Sequence, residues 1–488
     1  MTACDAEGHS SIRGKTTPAR LIGVGSSDSG NTIRIVNASN DTVPRYVALS
    51  HCYKHRDIAQ ADLLPASQES VDLTSLPKTF QDAIAVTRVL GEKYLWVDEV
   101  CIAKEDVQDW ARNSANVASV FTNAYLTLAA TGASDTSKGL FLPRRREYVR
   151  IDHATAGLEG HILAFTLPLN KEVIDSYYVD MASEPLIKEV WAFQDRVLSP
   201  RSLHFASDQI YLECQGSFIS EDGLRLSYDR LHFASRFDGI PQDKNKAKTA
   251  WYGLLWAYGR LFPENTADKL PAMANVARAY GEIMRTEYIA GFWKDSVIES
   301  LAWQSLRRKD IHESSAPSWS WASFGGIPAA GFIDGWEKWV PCAKLLDHHI
   351  ELEGSDPFGG VNNSSIKLEC SLVPLELCEK QGPMGHMLLK TPNAPDGMHA
   401  GFDLLPSKYD ESADTIKGTK LSCLILGFTT PLEKASGTRF DKLRTCYRCL
   451  IVAPTEDGES MKRLGYLLAS DENFSPEELE SRTVVTLR

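Results

Sequence analysis

Two short apolar stretches of this 488-residue sequence run directly into side chains that can exchange protons. His51 follows the stretch 46–50, and Asp98 and Glu99 follow the stretch 94–97. An imidazole beside two carboxylates suits general acid–base catalysis, because the carboxylates raise the pKa of the ring and orient it. The alternative interpretation is structural, with Asp98 capping the next turn and His51 lying at the surface.

A second group of candidate residues lies in the segment 191–196, where an aromatic ring, an acid and a cation follow one another closely. In a nucleotide-cleaving enzyme, the Trp191 ring would stack on a base while the Asp195 carboxylate stabilises positive charge on the ribose. Arg196 would then be a further ligand contact. The structural alternative is an ion pair between Asp195 and Arg196 that fixes one layer of the fold to the next.

Neighbours of the acid–base candidates complete the predicted site. Ser50 and Tyr53 lie on either side of His51 in the sequence, and Cys101 follows the two acids. We interpret Ser50, Tyr53 and Cys101 as ligand contacts. Cys52 and Cys101 are also candidate nucleophiles beside His51, although buried thiols that serve packing are the simpler interpretation.

The sequence offers no motif for a bound cofactor or metal. Neither GxGxxG nor GxxxxGK[ST] occurs, which argues against ATP binding and against Rossmann-type NAD binding. The CxxC formed by Cys446 and Cys449 has no second CxxC or histidine pair at zinc spacing, and His348 and His349 also lack such partners. We therefore predict no cofactor and no metal.

The elements that position these residues follow from the alternation of apolar and amphipathic segments. The apolar stretches 46–50, 94–97 and 125–130 predict strands, and helical spacing predicts helices over 77–90 and 107–121. This order is typical of a parallel sheet with helices on both faces, in which ligands bind outside the carboxyl ends of the strands. The predicted fold class is therefore α/β, with a parallel βαβαβ core, α+β insertions and a β-rich carboxy-terminal region.

The patterning divides the chain into four regions. We predict a flexible amino terminus over 1–31, the α/β core over 32–150, a mixed α+β continuation over 151–326 and a β-rich region over 327–488. Two further helices are expected at 249–262 and 269–287, and two loops at 354–365 and 381–401.

Composition and charge limit the classes of function. Acidic residues outnumber Lys and Arg by 64 to 52, a net charge of −12, which argues against binding to nucleic acid. Ten cysteines are too few for a disulfide-stapled scaffold. We see no secretory signal and no apolar run near the ~18 residues that a membrane span needs. We expect a cytoplasmic protein without a membrane span.

Several segments together resemble one family, the fungal heterokaryon-incompatibility (HET) domain. Their order and spacing agree with that family over roughly residues 33–326. The matching segments are 46–53 (YVALSHCY), 76–84 (LPKTFQDAI), 90–98 (LGEKYLWVD), 101–102 (CI), 123–130 (NAYLTLAA), 191–205 (WAFQDRVLSPRSLHF), 290–293 (AGFW) and 316–323 (APSWSWAS).

The resemblance implies a fungal, intracellular protein tied to non-self recognition and programmed cell death. It also implies a core similar to the TIR fold, a flavodoxin-like sheet, and some TIR domains cleave NAD with an essential glutamate. The sequence departs from the family pattern near strand ends. The family usually has Tyr-Cys-Trp-Gly where this chain has residues 51–54, serine in place of Glu99 and glutamate in place of Asp195.

Three hypotheses of function follow from these observations. The resemblance predicts a HET-domain protein of non-self recognition and cell death with TIR-like nucleotide-cleaving activity. The departures favour an alternative, a HET-fold enzyme repurposed for secondary-metabolite biosynthesis through acid–base cyclisation or isomerisation. A non-catalytic interaction module is the third. The candidate ligands are accordingly a nucleotide or an apolar metabolite, and the candidate partners are another protein or further copies of the chain.

Overall fold

The computed structural model divides the chain into two compact units, Met1–Ile240 and Pro241–Arg488. The residues that the structure describes are 5–6, 18–25, 31–38, 45–52, 70–102, 117–144, 148–155, 158–165, 184–214, 217–221, 223, 225–226, 243–259, 269–308, 316–324, 326–330, 337–378, 388–403, 419–431 and 445–488.

The first unit contains twelve described strands and four described α-helices. The strands are β1 (Arg20–Gly23), β2 (Thr32–Asn37), β3 (Val47–Ser50), β4 (Ser70–Asp72), β5 (Tyr94–Trp96), β6 (Leu126–Ala129), β7 (Tyr148–Thr155), β8 (Leu158–Phe165), β9 (Arg201–Phe205), β10 (Ile210–Cys214), β11 (Ser217–Ser220) and β12 (Arg225–Leu226). The helices are α1 (Lys78–Val89), α2 (Asp98–Cys101), α3 (Val117–Asn123) and α4 (Val190–Leu198).

Ten of these strands form one mixed sheet, in the order β12-β11-β10-β9-β6-β3-β5-β1-β2-β4. Its centre is parallel, because β3 pairs in parallel with both β5 and β6, and β6 pairs in parallel with β9. The flanks are antiparallel, with β1 against β5 and β10 against β9. The predicted parallel α/β core is therefore present, but its parallel strands form only the middle of a larger mixed sheet.

The parallel centre follows from the sequence in a simple way. All four residues of β3 and all four of β6 are buried, as expected for strands covered on both faces, which read as unbroken apolar runs. Helix α1 buries the side chains of Phe80, Ala83 and Ile84. It ends at Val89, and Gly91, just after the C-cap, has a φ of +75°, which favours a residue without a Cβ atom.

One predicted helix of the first unit is described only in part, and two further features add to the predicted βαβαβ order. The helix expected over 107–121 is described only in its last part, as α3, while 103–116 lie outside the described residues. The strand 94–97 is followed at once by the single turn of α2. The hairpin of β7 and β8 pairs on itself as a separate two-stranded sheet.

The second unit begins with helices and ends in strands. Its described helices are α5 (Lys244–Gly259), α6 (Lys269–Met284), α7 (Val297–Ser300) and α8 (Pro476–Glu480). Its described strands are β13 (Tyr288–Ile289), β14 (Phe292–Trp293), β15 (Trp303–Arg308), β16 (Gly326–Ala330), β17 (Glu337–Pro341), β18 (Lys344–His349), β19 (Ser365–Leu377), β20 (Leu388–Thr391), β21 (Ala394–Phe402), β22 (Leu421–Pro431), β23 (Cys446–Pro454), β24 (Met461–Ser470) and β25 (Thr483–Leu487).

The nine strands β17–β25 form one sheet in which six strands close into a ring, β19-β22-β23-β24-β21-β20. The ring closes because β19 is long enough to pair with β22 through Ser371–Leu375 and with β20 through Glu376 and Leu377. A large apolar core, which includes Val373, Ile425 and Leu467, is built from these strands. The chain therefore has a sizeable β content.

The loop expected over 381–401 is wrong in its second half. Residues 388–391 and 394–402 form β20 and β21, which pair with each other and with β19 and β24. Glycines and polar residues in this segment resemble a loop, but Leu389 and Phe402 are buried in the core of the ring. Among the described residues, no helix is long and apolar enough to cross a bilayer.

Candidate functional site

The acid–base candidates lie at one edge of the parallel centre. Ser50 is the last residue of β3, and His51 follows it. Asp98 opens α2 directly after β5. Because β3 and β5 are adjacent and parallel, the residues that follow them lie at the same carboxyl edge. The structure thus brings the two predicted strand ends together.

His51 is held by a carboxylate on one side and an aromatic ring on the other. Its Nε2 lies 3.3 Å from Glu99 Oε2, and its ring meets the Phe80 ring edge-on at 5.2 Å between centroids. His51 is buried. Burial lowers its pKa, but the hydrogen bond to Glu99 and the charges of Asp98, Glu99 and Asp195 together outweigh burial and raise the pKa above 6.5.

Asp195 comes from α4 and reaches the end of β3, far away in the sequence. The Ser50 hydroxyl donates to Asp195 Oδ2 at 2.7 Å. Burial raises the pKa of Asp195 to about 7; the Ser50 hydrogen bond opposes this shift and the Asp98 charge adds to it. At neutral pH this carboxyl is therefore poised between its acid and its base form.

The end of α4 is joined to the sheet by a hydroxyl contact of Ser199. Ser199 Oγ donates to the Asp195 carbonyl oxygen at 2.6 Å and lies 2.7 Å from Thr127 Oγ1 on β6. Trp191 is one helical turn before Asp195, so the two share a face of α4. Trp191 is 43% exposed, so an aromatic surface is open one helical turn from Asp195.

Arg196 does not pair with Asp195, so the proposed ion pair between these neighbours is wrong. Its Nε and Nη2 donate to Glu213 Oε2 and Oε1 at 2.8 and 3.0 Å, a bidentate contact with β10. Adjacent residues on a helix point in different directions, and Asp195 instead binds Ser50.

Glu213 also organises a buried histidine that the sequence analysis did not identify. His204 Nε2 lies 2.9 Å from Glu213 Oε2, and its Nδ1 lies 3.0 Å from Thr131 Oγ1. Burial lowers the pKa of His204, so the neutral ring donates from Nε2 to Glu213 and accepts from Thr131. The signal in the sequence was an acid, Glu213, inside an otherwise apolar strand.

The cysteines of the predicted site are buried. Cys52 and Cys101 are each 1% exposed, and burial raises the pKa of Cys101 to about 12. A thiol with such a pKa stays protonated at neutral pH, which favours packing over nucleophilic attack. Tyr53 lies outside the described residues. In the second unit, Cys449 is buried in the core of the ring and Cys446 is partly exposed.

The arrangement can therefore exchange protons and stabilise positive charge. His51 and Glu99 form an imidazole–carboxylate pair, and Asp195 is a second carboxyl group oriented by a hydroxyl. The exposed Trp191 ring supplies a flat surface on which a planar group of a ligand could stack.

Comparison with known proteins gives one family. A family model described as heterokaryon incompatibility protein (HET) matches residues 46–195. The matched range contains Ser50, His51, Glu99, Trp191 and Asp195. Neither the comparison with curated proteins nor that with solved structures found a match.

Proposed function

We propose, from the match of residues 46–195 to the heterokaryon incompatibility family model, that this protein acts in fungal non-self recognition and cell death, in the cytoplasm, by cleaving a dinucleotide such as NAD. The observation that carries the proposal is the contact between Ser50 and Asp195 beside the exposed Trp191 ring. It joins an oriented carboxylate to an aromatic platform at the carboxyl edge of a parallel sheet, where such folds bind ligands.

The chemistry assigned to each residue follows from its surroundings. The ionised Asp195 carboxylate would stabilise the positive charge that develops on the ribose as the N-glycosidic bond breaks. Nicotinamide leaves as a neutral molecule with the electron pair of that bond. A water molecule then adds to the ribose carbon and gives its proton to the His51–Glu99 pair, which the 3.3 Å contact holds together.

The strand order supports a TIR-like assignment for the core. In chain order the parallel strands are β3, β5, β6 and β9, and in the sheet they follow as β5-β3-β6-β9. This is the 2-1-3-4 order of flavodoxin-like sheets. Fold similarity alone is a weak argument for activity, so the proposal depends on the side chains at the strand ends.

The test is incubation of the purified full-length protein with NAD, with the products separated by chromatography. We expect nicotinamide release to fall at least about 100-fold in Asp195→Asn and to a similar degree in His51→Gln, the range typical of acid–base and charge-stabilising groups. Asp72→Asn is the matched control, since Asp72 also accepts a hydroxyl hydrogen bond, from Thr74 at 2.8 Å, but lies on the edge strand β4.

The same experiment separates the proposal from its alternatives. Release of nicotinamide by Asp195→Asn at the rate of the unmodified protein would assign the reaction to other residues. No release by the unmodified protein would overturn nucleotide cleavage and favour the other two hypotheses. An acid–base enzyme acting on an apolar metabolite would then show altered metabolite profiles on His51→Gln substitution in cells, whereas an interaction module would not.

A further inference from the structure

A second polar cluster lies at the opposite edge of the parallel sheet. Arg45 precedes β3, Glu92 precedes β5, Tyr125 precedes β6 and Arg201 opens β9. These four strands are neighbours and parallel. The four side chains therefore start from the amino edge of the sheet, whereas the proposed catalytic cluster lies at its carboxyl edge.

Both arginines pack against the same aromatic ring. The guanidinium carbons of Arg45 and Arg201 lie 3.4 and 4.0 Å from the centroid of the Tyr125 ring. The charge of Arg45 is balanced by Glu92, whose Oε1 accepts from Arg45 Nε at 2.8 Å. Arg45 therefore has an acid partner, Glu92, in the segment just before β5.

Among the described residues of the sheet, no acid forms a comparable ion pair with Arg201. Its side chain is fully buried, and its Nε donates to the Tyr125 carbonyl oxygen at 2.7 Å. Among the described residues, Nη1 meets no hydrogen-bond acceptor. A buried guanidinium is strongly destabilising unless its charge and its donors are satisfied, so this group calls for an anion.

The anion that reaches Arg201 comes from the amino-terminal segment. Asp5 Oδ1 lies 2.8 Å from Arg201 Nη2, and the Tyr125 hydroxyl donates to Asp5 Oδ2 at 3.0 Å. The Arg201 contact has ion-pair distance without hydrogen-bond geometry, since Nη2 finds no acceptor in a suitable direction. Asp5 thus neutralises Arg201, but within the part of the chain that the structure describes Nη1 and Nη2 of the guanidinium still have no hydrogen-bond acceptor.

We propose that Arg201 and Tyr125 form an oxyanion-binding site that Asp5 occupies as a displaceable internal ligand. A guanidinium fork matches two oxygens of a carboxylate or a phosphate in parallel, and a free oxyanion can adopt that geometry where the tethered Asp5 does not. When Asp5 leaves, the group of Arg45, Glu92, Tyr125 and Arg201 carries one uncompensated positive charge. This site is separate from the proposed nucleotide-cleaving cluster and does not depend on it.

The test uses the full-length protein and inorganic phosphate as the probe. The Tm is measured against phosphate concentration, with sodium chloride adjusted to hold the ionic strength constant. Asp5→Asn removes the competing charge, so we expect half of the phosphate-induced rise in Tm at a phosphate concentration at least about tenfold lower than in the unmodified protein, because a tethered competitor acts at millimolar effective concentration.

The matched control is Asp208→Asn. Asp208 accepts a hydrogen bond from the Tyr211 hydroxyl at 2.6 Å, as Asp5 does from Tyr125, and its substitution should leave the phosphate response unchanged. Adding Tyr125→Phe to Asp5→Asn should weaken the response, since it removes one donor and keeps the ring. Parallel titrations with acetate and phosphate show which oxyanion the site prefers.

A measurement on the unmodified protein provides a check that needs no variant. Phosphate that displaces Asp5 should accelerate proteolytic release of the amino-terminal segment, compared with chloride at equal ionic strength. The proposal is overturned if Asp5→Asn and Asp208→Asn respond to phosphate and acetate as the unmodified protein does, or if phosphate leaves the proteolysis rate unchanged.

Discussion

Asp195 experiences opposing electrostatic effects at the candidate site. Burial and the nearby Asp98 charge favour its protonated form, while the Ser50 hydroxyl and His51 favour its ionised form, and the result is a pKa of about 7. A carboxyl group that is costly to ionise in the folded protein makes the stability of that protein depend on pH.

The sign of this dependence can be predicted. The unfolded chain releases the Asp195 proton near the ordinary value of 3.8 and the folded protein near 7, so the folded state holds more protons between those values. The contribution of Asp195 to the free energy of unfolding therefore decreases as pH rises through this window, by about 4 kcal/mol. When Tm is measured from pH 4 to pH 8, the Tm of Asp195→Asn relative to that of the unmodified protein should therefore rise with pH.

The raised pKa of His51 predicts a pH dependence of stability as well. Its folded pKa is raised above 6.5, so its stabilising contribution is complete below that value and is lost as pH rises through the raised pKa. His51→Gln should thus lower the Tm more at pH 5.5 than at pH 8. A Tm difference between Asp195→Asn and the unmodified protein that stays constant with pH would contradict the assigned pKa of Asp195.

The sequence identified some of these side chains and could not identify their partners. His51, Asp98 and Glu99 follow apolar strands, and parallel strands bring their carboxyl ends to one edge. The bond from Ser50 to Asp195 joins residues 145 positions apart, and no local pattern encodes such a pairing. The pairing depends on the packing of α4 against the end of β3, which is a tertiary contact.

At the level of elements, the ion pair between Arg196 and Glu213 fixes α4 to β10. Both side chains are nearly buried, at 14% and 12% exposure, and Glu213 also accepts from His204. Although burial opposes ionisation of Glu213, the Arg196 charge and the hydrogen bonds lower its pKa to about 2. Helix α4 carries Trp191 and Asp195, so this anchor positions the candidate site.

We predict that Glu213→Gln lowers the free energy of unfolding by about 2–4 kcal/mol at pH 7, because it leaves a nearly buried guanidinium without its charge partner. Stability from a lowered carboxyl pKa is complete above the ordinary value of 4.5 and is lost as pH falls through about 2. The deficit of the variant, measured by urea unfolding, should therefore shrink as pH is lowered towards 2.

The control for this prediction is Glu221→Gln. Glu221 pairs with Arg144 at 2.7 Å, but the two side chains are 48% and 39% exposed. Its loss should change the free energy of unfolding by less than about 1 kcal/mol. Equal effects of the two substitutions would mean that the Arg196–Glu213 pair does not anchor α4.

Elements could be predicted from the sequence where their own residues carry a clear pattern, and not where distant strands hold them in place. Strands β3 and β6 are buried on both faces, so their apolar runs were enough to find them. Strand β21 contains two glycines and few large apolar residues, and it is held by pairing with β20 and with β24. Because β24 is distant in sequence, this segment resembled a loop.

At the level of the whole molecule, the second unit contains a fully buried arginine, Arg463, that links several of its segments. Arg463 Nε donates to Asp403 at 2.7 Å, its Nη1 donates to the Leu301 carbonyl at 2.7 Å, and its guanidinium carbon lies 3.3 Å from the centroid of the Trp303 ring. It thus joins β24 to the segments before β15 and after β21.

The division into two units predicts a local response to loss of this anchor. Arg463→Ala should destabilise the second unit by about 3–5 kcal/mol, since it leaves Asp403 buried without its partner. Hydrogen exchange measured by mass spectrometry should accelerate in peptides from 241–488 and not in those from 1–240. Lys390→Ala, which removes an exposed pair with Glu376, should change neither. Equal acceleration in both units would show that the chain opens as one body.

The family match ends inside the ten-stranded sheet, which affects how a fragment limited to the matched residues would behave. The match covers residues 46–195, yet β5 is flanked in the sheet by β1 (Arg20–Gly23) and β6 by β9 (Arg201–Phe205), and both flanking strands lie outside it. A fragment cut at those ends would present two rows of unpaired backbone amides and carbonyls, on either side of three apolar strands. Exposed edges of this kind recruit strands from other molecules, so the matched region alone is expected to aggregate, whereas a fragment that retains all ten strands of the sheet keeps the edges of β5 and β6 paired.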